Sequence, residues 1–244
     1  MIDGGGLSPN VVQSKASVMY QVRAPKLNQT KEVYDRIVNI AKGAALMTDT
    51  RMEVIFDRGS SNLVLNSVLN KLLHDKLLEI GPVSIEEEDI EFAKQIRESL
   101  NDYEKTKTED KVKKIYGQAS YEIIGLLADK DIIDIIYPFV MIDLVHPGST
   151  DVGDVSWNAP TAQISTVCYA KDTPGHSWQS VAQGKSKLFH KGVLQAGEVL
   201  ALAAIDLLEN PELIVQAKKE FDQQIAKEAY ICPIPFGIKP SPLR

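Results

Sequence analysis

A single histidine in a tight bend is the first residue of this sequence that could do chemistry. In the stretch TPGHSWQ, His176 follows Pro174 and Gly175 and lies two positions before Trp178. A histidine in such a loop can be a surface residue, a hydrogen-bonding strut, or a metal ligand that the tryptophan shields from water. One histidine does not make a metal site, and the sequence contains no HExxH pattern or paired Cys/His spacing. The pattern therefore leaves all three roles open.

Two carboxylates occupy a second polar stretch, GSTDVGDVSW, which runs from Gly148 to Trp157. Asp151 and Asp154 lie there in a glycine-containing turn. Aspartates in such turns ordinarily bond their own backbone, whereas a catalytic or binding role needs a perturbed environment that spacing cannot reveal. The turn-forming role is favoured on spacing alone, and the functional role stays open.

Several other reaction classes lack their motifs. No GxSxG elbow is present, which removes support for serine hydrolase chemistry, and no GxxxxGK[ST] phosphate loop follows the early glycines. Cys168 and Cys232 have no CxxC spacing and form no disulfide framework. Two free thiols are typical of a reducing compartment, so we expect a cytoplasmic protein.

The composition argues against two kinds of partner. The 244 residues carry a net charge of -6, with no stripe of Lys and Arg, so a nucleic-acid surface is not expected. The longest apolar stretch, Val193 to Leu208, is interrupted by polar residues and is shorter than the ~20 residues that span a bilayer. No signal peptide is recognisable at the N-terminus, and no membrane partner is expected.

The elements that must position these residues begin with an alternating module. Residues 10–25 and 51–59 are rich in β-branched residues or alternate in polarity, which predicts two strands. Helical spacing of apolar residues predicts a helix from Thr30 to about Met47 and another over about 62–80. This order suggests a small α+β module.

The next hundred residues mix helix, charge and apolar signals. SIEE at Ser84 to Glu87 predicts a capping box at the start of a helix that ends near Leu100. A charged run over 101–114 is typical of a solvated connector or helix face. Residues 131–145 are apolar and β-branched, which favours a buried strand.

The polar loop region lies between these elements and two terminal helices. Residues 147–192 are irregular around a strand-like segment at 161–170. One helix is predicted from about Lys191 to Glu209. Another begins at Asn210-Pro211, with asparagine as N-cap and proline at the first helical position. Together the patterns predict an α/β fold.

Ordered motifs add a resemblance that covers essentially the whole chain. The segments DGGGLSPNVV, VRAP, AKGAALMTDT, GSTDVGDVSW, TPGHSWQ, and HKG before an alanine-rich helix resemble the two-metal aminoacylase and carboxypeptidase amidohydrolases, peptidase family M-twenty. YICPIP near the end continues the match. Members of this family have an α/β catalytic domain and an inserted α+β lid that forms the dimer.

The resemblance implies a domain division. Residues 1–78 match the later part of the lid, or dimerisation, domain. Residues 79–244 match the C-terminal part of the zinc-peptidase-like α/β catalytic domain. A homodimer through the lid is the implied assembly, and uncovered sheet edges in an incomplete lid would favour association.

The resemblance also implies site residues. His176 matches the family's last metal-binding histidine, so it is expected to bind zinc or manganese. Asn10 and Arg23 match the lid residues that hold the substrate carboxylate, which suits a neutral donor and a charged fork. Asp151 and Asp154 lie in the matching substrate-side loop without a defined role. Gln13 departs from the family's usual proline.

The implied activity is hydrolysis of an amide bond in an acyl- or aryl-amino acid such as p-aminobenzoyl-glutamate. The family's other metal ligands and its general-base glutamate match positions upstream of Met1, and a two-metal site needs several ligands. The chain alone is therefore expected to be an inactive fragment that needs a separate N-terminal half. The alternative is a non-catalytic dimerisation or carboxylate-binding remnant.

Overall fold

A computed structural model of the chain describes residues 2–4, 6, 8, 10–142, 144–145 and 148–239. Within these ranges the chain is mostly helical, with nine α-helices, two short 3-10 turns and one pair of short strands. Its contacts divide it into two compact units. The first comprises Met1–Leu63, Val145–Trp157 and Tyr230–Arg244, and the second comprises Val64–Leu144 and Asn158–Ala229. The predicted division at residue 78 stays a prediction.

The α/β expectation is not confirmed. β1, Ile2–Gly4, pairs antiparallel with β2, Ser17–Val18, and these strands form the one sheet of the described residues. Ser17–Val18 is all that becomes strand within the predicted strand at 10–25. Three further predicted strands form neither helix nor sheet where they are described: 51–59, 131–145 (Asp143 lies outside the described residues) and 161–170. β-Branched composition favours extended backbone, but a strand also needs a neighbour for its hydrogen bonds.

The first unit is built around one long helix. α1 spans Leu27–Met47, so the predicted helix is confirmed, although it begins before Thr30. Lys26 is its N-cap, and the Lys26 backbone N–H donates to Gln29 Oε1 at 3.2 Å. None of the residues of α1 is buried. Nor is any other apolar side chain buried among the described residues of this unit.

The second unit contains most of the helices. They are α2 Ser67–Ile80, α3 Glu87–Glu98, α4 Lys107–Tyr116, α5 Ser120–Leu127, α7 Trp178–Gln183, α8 Lys187–Glu209 and α9 Pro211–Ile225, while the short α6, Val152–Ser156, belongs to the first unit. The charged run over 101–114 is thus largely helical.

Helix starts in the second unit follow side-chain caps. Asn66 begins α2, because its Oδ1 accepts from Leu69 N at 3.0 Å while its Nδ2 donates to Ala217 O at 2.8 Å. α3 is capped at Glu86 rather than at the predicted Ser84. α8 begins before Lys191, since the Ser186 hydroxyl accepts from Phe189 N at 3.1 Å.

Three clusters of buried apolar residues form the core of the second unit. One joins α3 to α8 and to two non-helical segments, through Ala93, Ile96, Ile132, Ala170 and Leu188. Another joins α2 to α8, through Leu72, Leu73, Val199 and Ala203. A third joins α4 to α5, through Val112, Ile123 and Leu127. Among the described residues, no helix has the length and apolar character needed to cross a bilayer.

Candidate functional site

His176 lies on an exposed bend just before a helix. Its backbone φ is 59°, in the left-handed region where histidine is enriched among non-glycine residues. The next residue, Ser177, caps α7 by accepting from Ser180 N at 3.2 Å. His176 is itself exposed, in contrast to its surroundings. The helix start therefore fixes the C-terminal side of this loop.

A buried ion pair fixes the N-terminal side of the loop. The Asp172 side chain has 0% exposure, and its Oδ2 accepts from Arg97 Nη2 at 3.2 Å. Its Oδ1 accepts from Thr108 N at 2.8 Å. Arg97 Nη1 also donates to Asp131 Oδ1 at 2.6 Å. Because paired charges out of water hold each other strongly, this network fixes the backbone four residues before His176.

A buried amide ties the same loop to α7. Gln183 Oε1 accepts from Ala170 N at 2.7 Å, and its Nε2 donates to Thr173 Oγ1 at 3.1 Å and to Gln179 O at 3.0 Å. These bonds use both ends of the amide, which a buried polar group requires. The loop that carries His176 is thus held at both ends.

A buried lysine lies next to the ion pair. Lys171 Nζ donates to Leu127 O at 2.6 Å. Burial, and secondarily the positive charge of Arg97, lowers the pKa of Lys171. Sequence reasoning missed Lys171, Arg97 and Gln183, because their partners lie far along the chain and no local spacing marks them.

The residues described here do not by themselves fit a zinc centre. Among them, no group of three or more His, Cys, Asp and Glu side chains is placed to hold a metal ion. Protein zinc sites use three or four such ligands. The predicted role of His176 as a ligand therefore stays a prediction, and no metal-dependent step follows from these residues.

Asp154 binds groups of its own protein within the first unit. Its carboxylate accepts from Ser61 N at 3.2 Å, from Ser61 Oγ at 2.6 Å and from the Tyr230 hydroxyl at 3.1 Å. Burial raises the pKa of Tyr230 to about 12, and the negative charge and hydrogen bond of Asp154 add to the shift. Asp154 therefore joins three segments of the chain.

The turn around Asp154 is closely packed. A Cβ on Gly153 would lie 2.1 Å from Ser61 O, so glycine is needed there. Trp157 Nε1 donates to Asn62 O at 2.8 Å, and the Trp157 and Tyr230 rings lie 6.2 Å apart. Asp151, at the start of this turn, is exposed. Of the two carboxylates, Asp151 is the one with its side chain toward solvent.

Asn10 and Arg23 are also exposed and belong to the first unit. Asn10 Oδ1 accepts from the Ser8 hydroxyl. Arg23 lies beside Gln21, whose amide oxygen, in the orientation that satisfies both of its polar atoms, accepts from Arg23 Nε at 3.3 Å and Nη2 at 2.8 Å. Four of the predicted site residues thus share one unit, and His176 lies in the other. Their roles in binding stay predictions.

Comparison with known proteins finds a relative that matches almost the whole chain. The chain is 36% identical over 242 residues to a p-aminobenzoyl-glutamate hydrolase subunit of Escherichia coli (strain K12). That alignment covers 99% of this chain and 50% of the relative, so the chain spans about half the length of the curated relative it matches. No family model and no solved structure matches the chain.

Proposed function

From the premise that this chain is an aminobenzoyl-glutamate utilisation B-like protein, we propose that it forms part of a metal-dependent amidohydrolase. Its substrate would be an acyl- or aryl-amino acid with p-aminobenzoyl-glutamate as the first candidate. The observation that carries the proposal is the identity of 36% over 99% of the chain to a protein that is named as a hydrolase of this amide.

The first unit is proposed to recognise the acidic end of the substrate. A glutamyl amide presents carboxylates, and the exposed guanidinium of Arg23 can donate two parallel hydrogen bonds to one of them. Asn10 would add a neutral donor. Asp151 is the exposed carboxylate of the substrate-side turn, whereas Asp154 would hold that turn in place through Ser61 and Tyr230.

The second unit is proposed to contribute His176 as one ligand of a zinc or manganese ion. The support is the fixed loop: a ligand must be held within a fraction of an ångström, and Arg97, Asp172 and Gln183 hold the backbone on both sides of His176. The further ligands would come from outside the described residues.

Two assemblies belong to the same proposal. The 1–78 segment is proposed to form a homodimer, and α1, with no buried residue, supplies a long exposed helix for it. The relative is named as a subunit, and half of it has no counterpart in this chain. We therefore propose a companion polypeptide equivalent to that unmatched half.

The function can be tested by mixing this chain with the unmatched half of the E. coli subunit and zinc, then measuring p-aminobenzoate release and bound metal per chain. We expect turnover and stoichiometric metal from the mixture, with substoichiometric metal and no turnover from the chain alone. His176→Ala should remove both, while His190→Ala should leave them.

Two outcomes would contradict the proposal. One is a mixture that binds metal at His176 but cleaves neither p-aminobenzoyl-glutamate nor other acyl-glutamates. Carboxylate binding without turnover would then favour the non-catalytic function. The other is the chain alone binding two metal ions with turnover, which would show that the residues present already complete a site.

A further inference from the structure

A cleft in the second unit lies between α2 and two of the segments that the sequence predicts as strands. Its volume is about 300 Å³. Its lining includes Leu73, His74 and Leu77 from α2, residues 139–142 from one segment, and residues 163–165 from the other. The His74 and Phe139 rings lie 5.4 Å apart, and burial lowers the pKa of His74, which favours its neutral form. The α2 side of the cleft is therefore largely apolar.

The two segments are aligned like strands at one end. Ile132 and Ala170 form an isolated antiparallel bridge, and Lys171 N donates to Asp131 O at 2.7 Å. Beyond this bridge, no backbone–backbone hydrogen bond is made by residues 134–142 or 161–167 within the described structure. The Pro138 carbonyl accepts from the Tyr116 hydroxyl instead. Both sides of the cleft thus carry backbone donors and acceptors without a sheet partner.

The side chains of the second segment follow the period of a strand. Ala162, Ile164 and Thr166 are half-buried, whereas Gln163 and Ser165 between them are exposed. Ala162 and Ile164 pack against the apolar cluster of α2 and α8. An alternation of two with one face on a core is what a strand of a covered sheet shows. The segment is therefore placed for pairing although no strand lies beside it.

We propose that this cleft receives a β-strand from the companion polypeptide, the half of the E. coli subunit that this chain does not match. A strand inserted there would bond to the free backbone groups of 139–142 on one side and 161–167 on the other, and would cover the apolar residues of α2. The occupant is a polypeptide strand, since rows of unpaired peptide groups are recognised by other peptide groups. The inference rests on the match to the E. coli protein and on backbone pairing, and it does not require hydrolysis.

Hydrogen exchange tests the proposal directly. The chain is measured alone and with the unmatched half of the E. coli subunit, and the amides of 139–142 and 161–167 are followed. Complex formation should slow exchange in both segments by about tenfold or more, because inserted strands protect amides on both sides. A complex that leaves either segment unchanged would overturn the proposal. So would protection that appears in the chain alone as its concentration rises, since a second copy would then occupy the cleft.

A matched pair of variants locates the contact. Ser165→Pro removes one exposed N–H on the cleft side, whereas Ser165→Ala keeps it. Ser165→Pro should weaken the complex at least tenfold and Ser165→Ala should not; equal affinities would overturn the proposal. If Ser165→Pro does not fold, Val140→Pro and Val140→Ala repeat the comparison on the other side. Binding with protection but no turnover would sink the proposed activity alone, and turnover without protection would sink the strand insertion alone.

Discussion

In the second unit, the loop carrying His176 rests on a buried ion pair and a buried amide, whereas in the first unit Arg23 lies on an exposed segment. Asp172 has no exposed side-chain surface, and Gln183 has 2% exposure. Arg23 and Asn10 are exposed, and no apolar side chain is buried among the described residues of their unit. The residue proposed for a metal is thus built on a core, and the residues proposed for the carboxylate are built on a surface.

The difference fits what each role demands. A metal ligand must be held precisely, and the cost of burying Asp172 and Arg97 is offset by pairing and hydrogen bonds. A side chain that binds a substrate carboxylate must stay accessible to its ligand. Substitutions around His176 should therefore affect stability strongly, and substitutions at Arg23 should affect it little.

The largest effect is expected for Asp172→Ala. It leaves the Arg97 guanidinium, whose side chain is 19% exposed, without one of its two carboxylates, which should cost about 3 kcal/mol of unfolding free energy. Urea denaturation of the chain measures it. The control is Asp75→Ala, which breaks an exposed pair with Lys71 and should cost ~0.5 kcal/mol or less. Equal costs for the two variants would show that the buried network does not hold the loop.

A smaller effect is expected for Gln183→Leu. It leaves the buried Ala170 N–H without its acceptor, at a cost of about 2 kcal/mol, while keeping similar side-chain volume. Gln223→Leu, on an exposed face of α9, should change the unfolding free energy by less than ~0.5 kcal/mol. If the two variants unfold at the same urea concentration, the amide does not hold the loop.

The helices of the second unit could largely be predicted from sequence, since apolar spacing such as Leu72, Leu73 and Leu77 identified α2. The strands could not, because a strand depends on a neighbour that no local pattern supplies. Nor could the network around His176: Arg97 reaches Asp172 across 75 residues of sequence. Motif resemblance identified the positions that could do chemistry, but not the residues that hold them.

A pH effect should mark the turn that Asp154 holds. The pKa of Tyr230 in the folded chain is about 12, above its ordinary value of about 10, so the folded state favours the neutral hydroxyl. Stability from this group should be complete below pH ~10 and should be lost as the pH rises toward ~12. Ultraviolet titration, with Tyr230→Phe as the reference, measures the pKa.

Asp154→Asn should lower the pKa of Tyr230, because it removes a negative charge next to the hydroxyl, yet burial should keep that pKa above ordinary. Asp151→Asn, at the exposed end of the turn, should leave the Tyr230 pKa unchanged. A Tyr230 pKa that responds equally to both substitutions would contradict the assignment of Asp154 to this contact.

The smallest effect on stability is expected for Arg23→Ala. The side chain is exposed in a unit without a buried apolar core among its described residues, so the unfolding free energy should change by less than ~0.5 kcal/mol. Arg51→Ala, another exposed arginine of the same unit, is the matched control. A loss of several kcal/mol for Arg23→Ala alone would make Arg23 a structural residue.

The most direct test of the two-sided account is the kinetics of p-aminobenzoate release by this chain assembled with the unmatched half of the E. coli subunit. Arg23→Ala should raise KM for p-aminobenzoyl-glutamate at least tenfold with kcat nearly kept, while Arg51→Ala changes neither. His176→Ala should abolish kcat together with bound metal. Unchanged KM in Arg23→Ala, or full turnover in His176→Ala, would contradict the account.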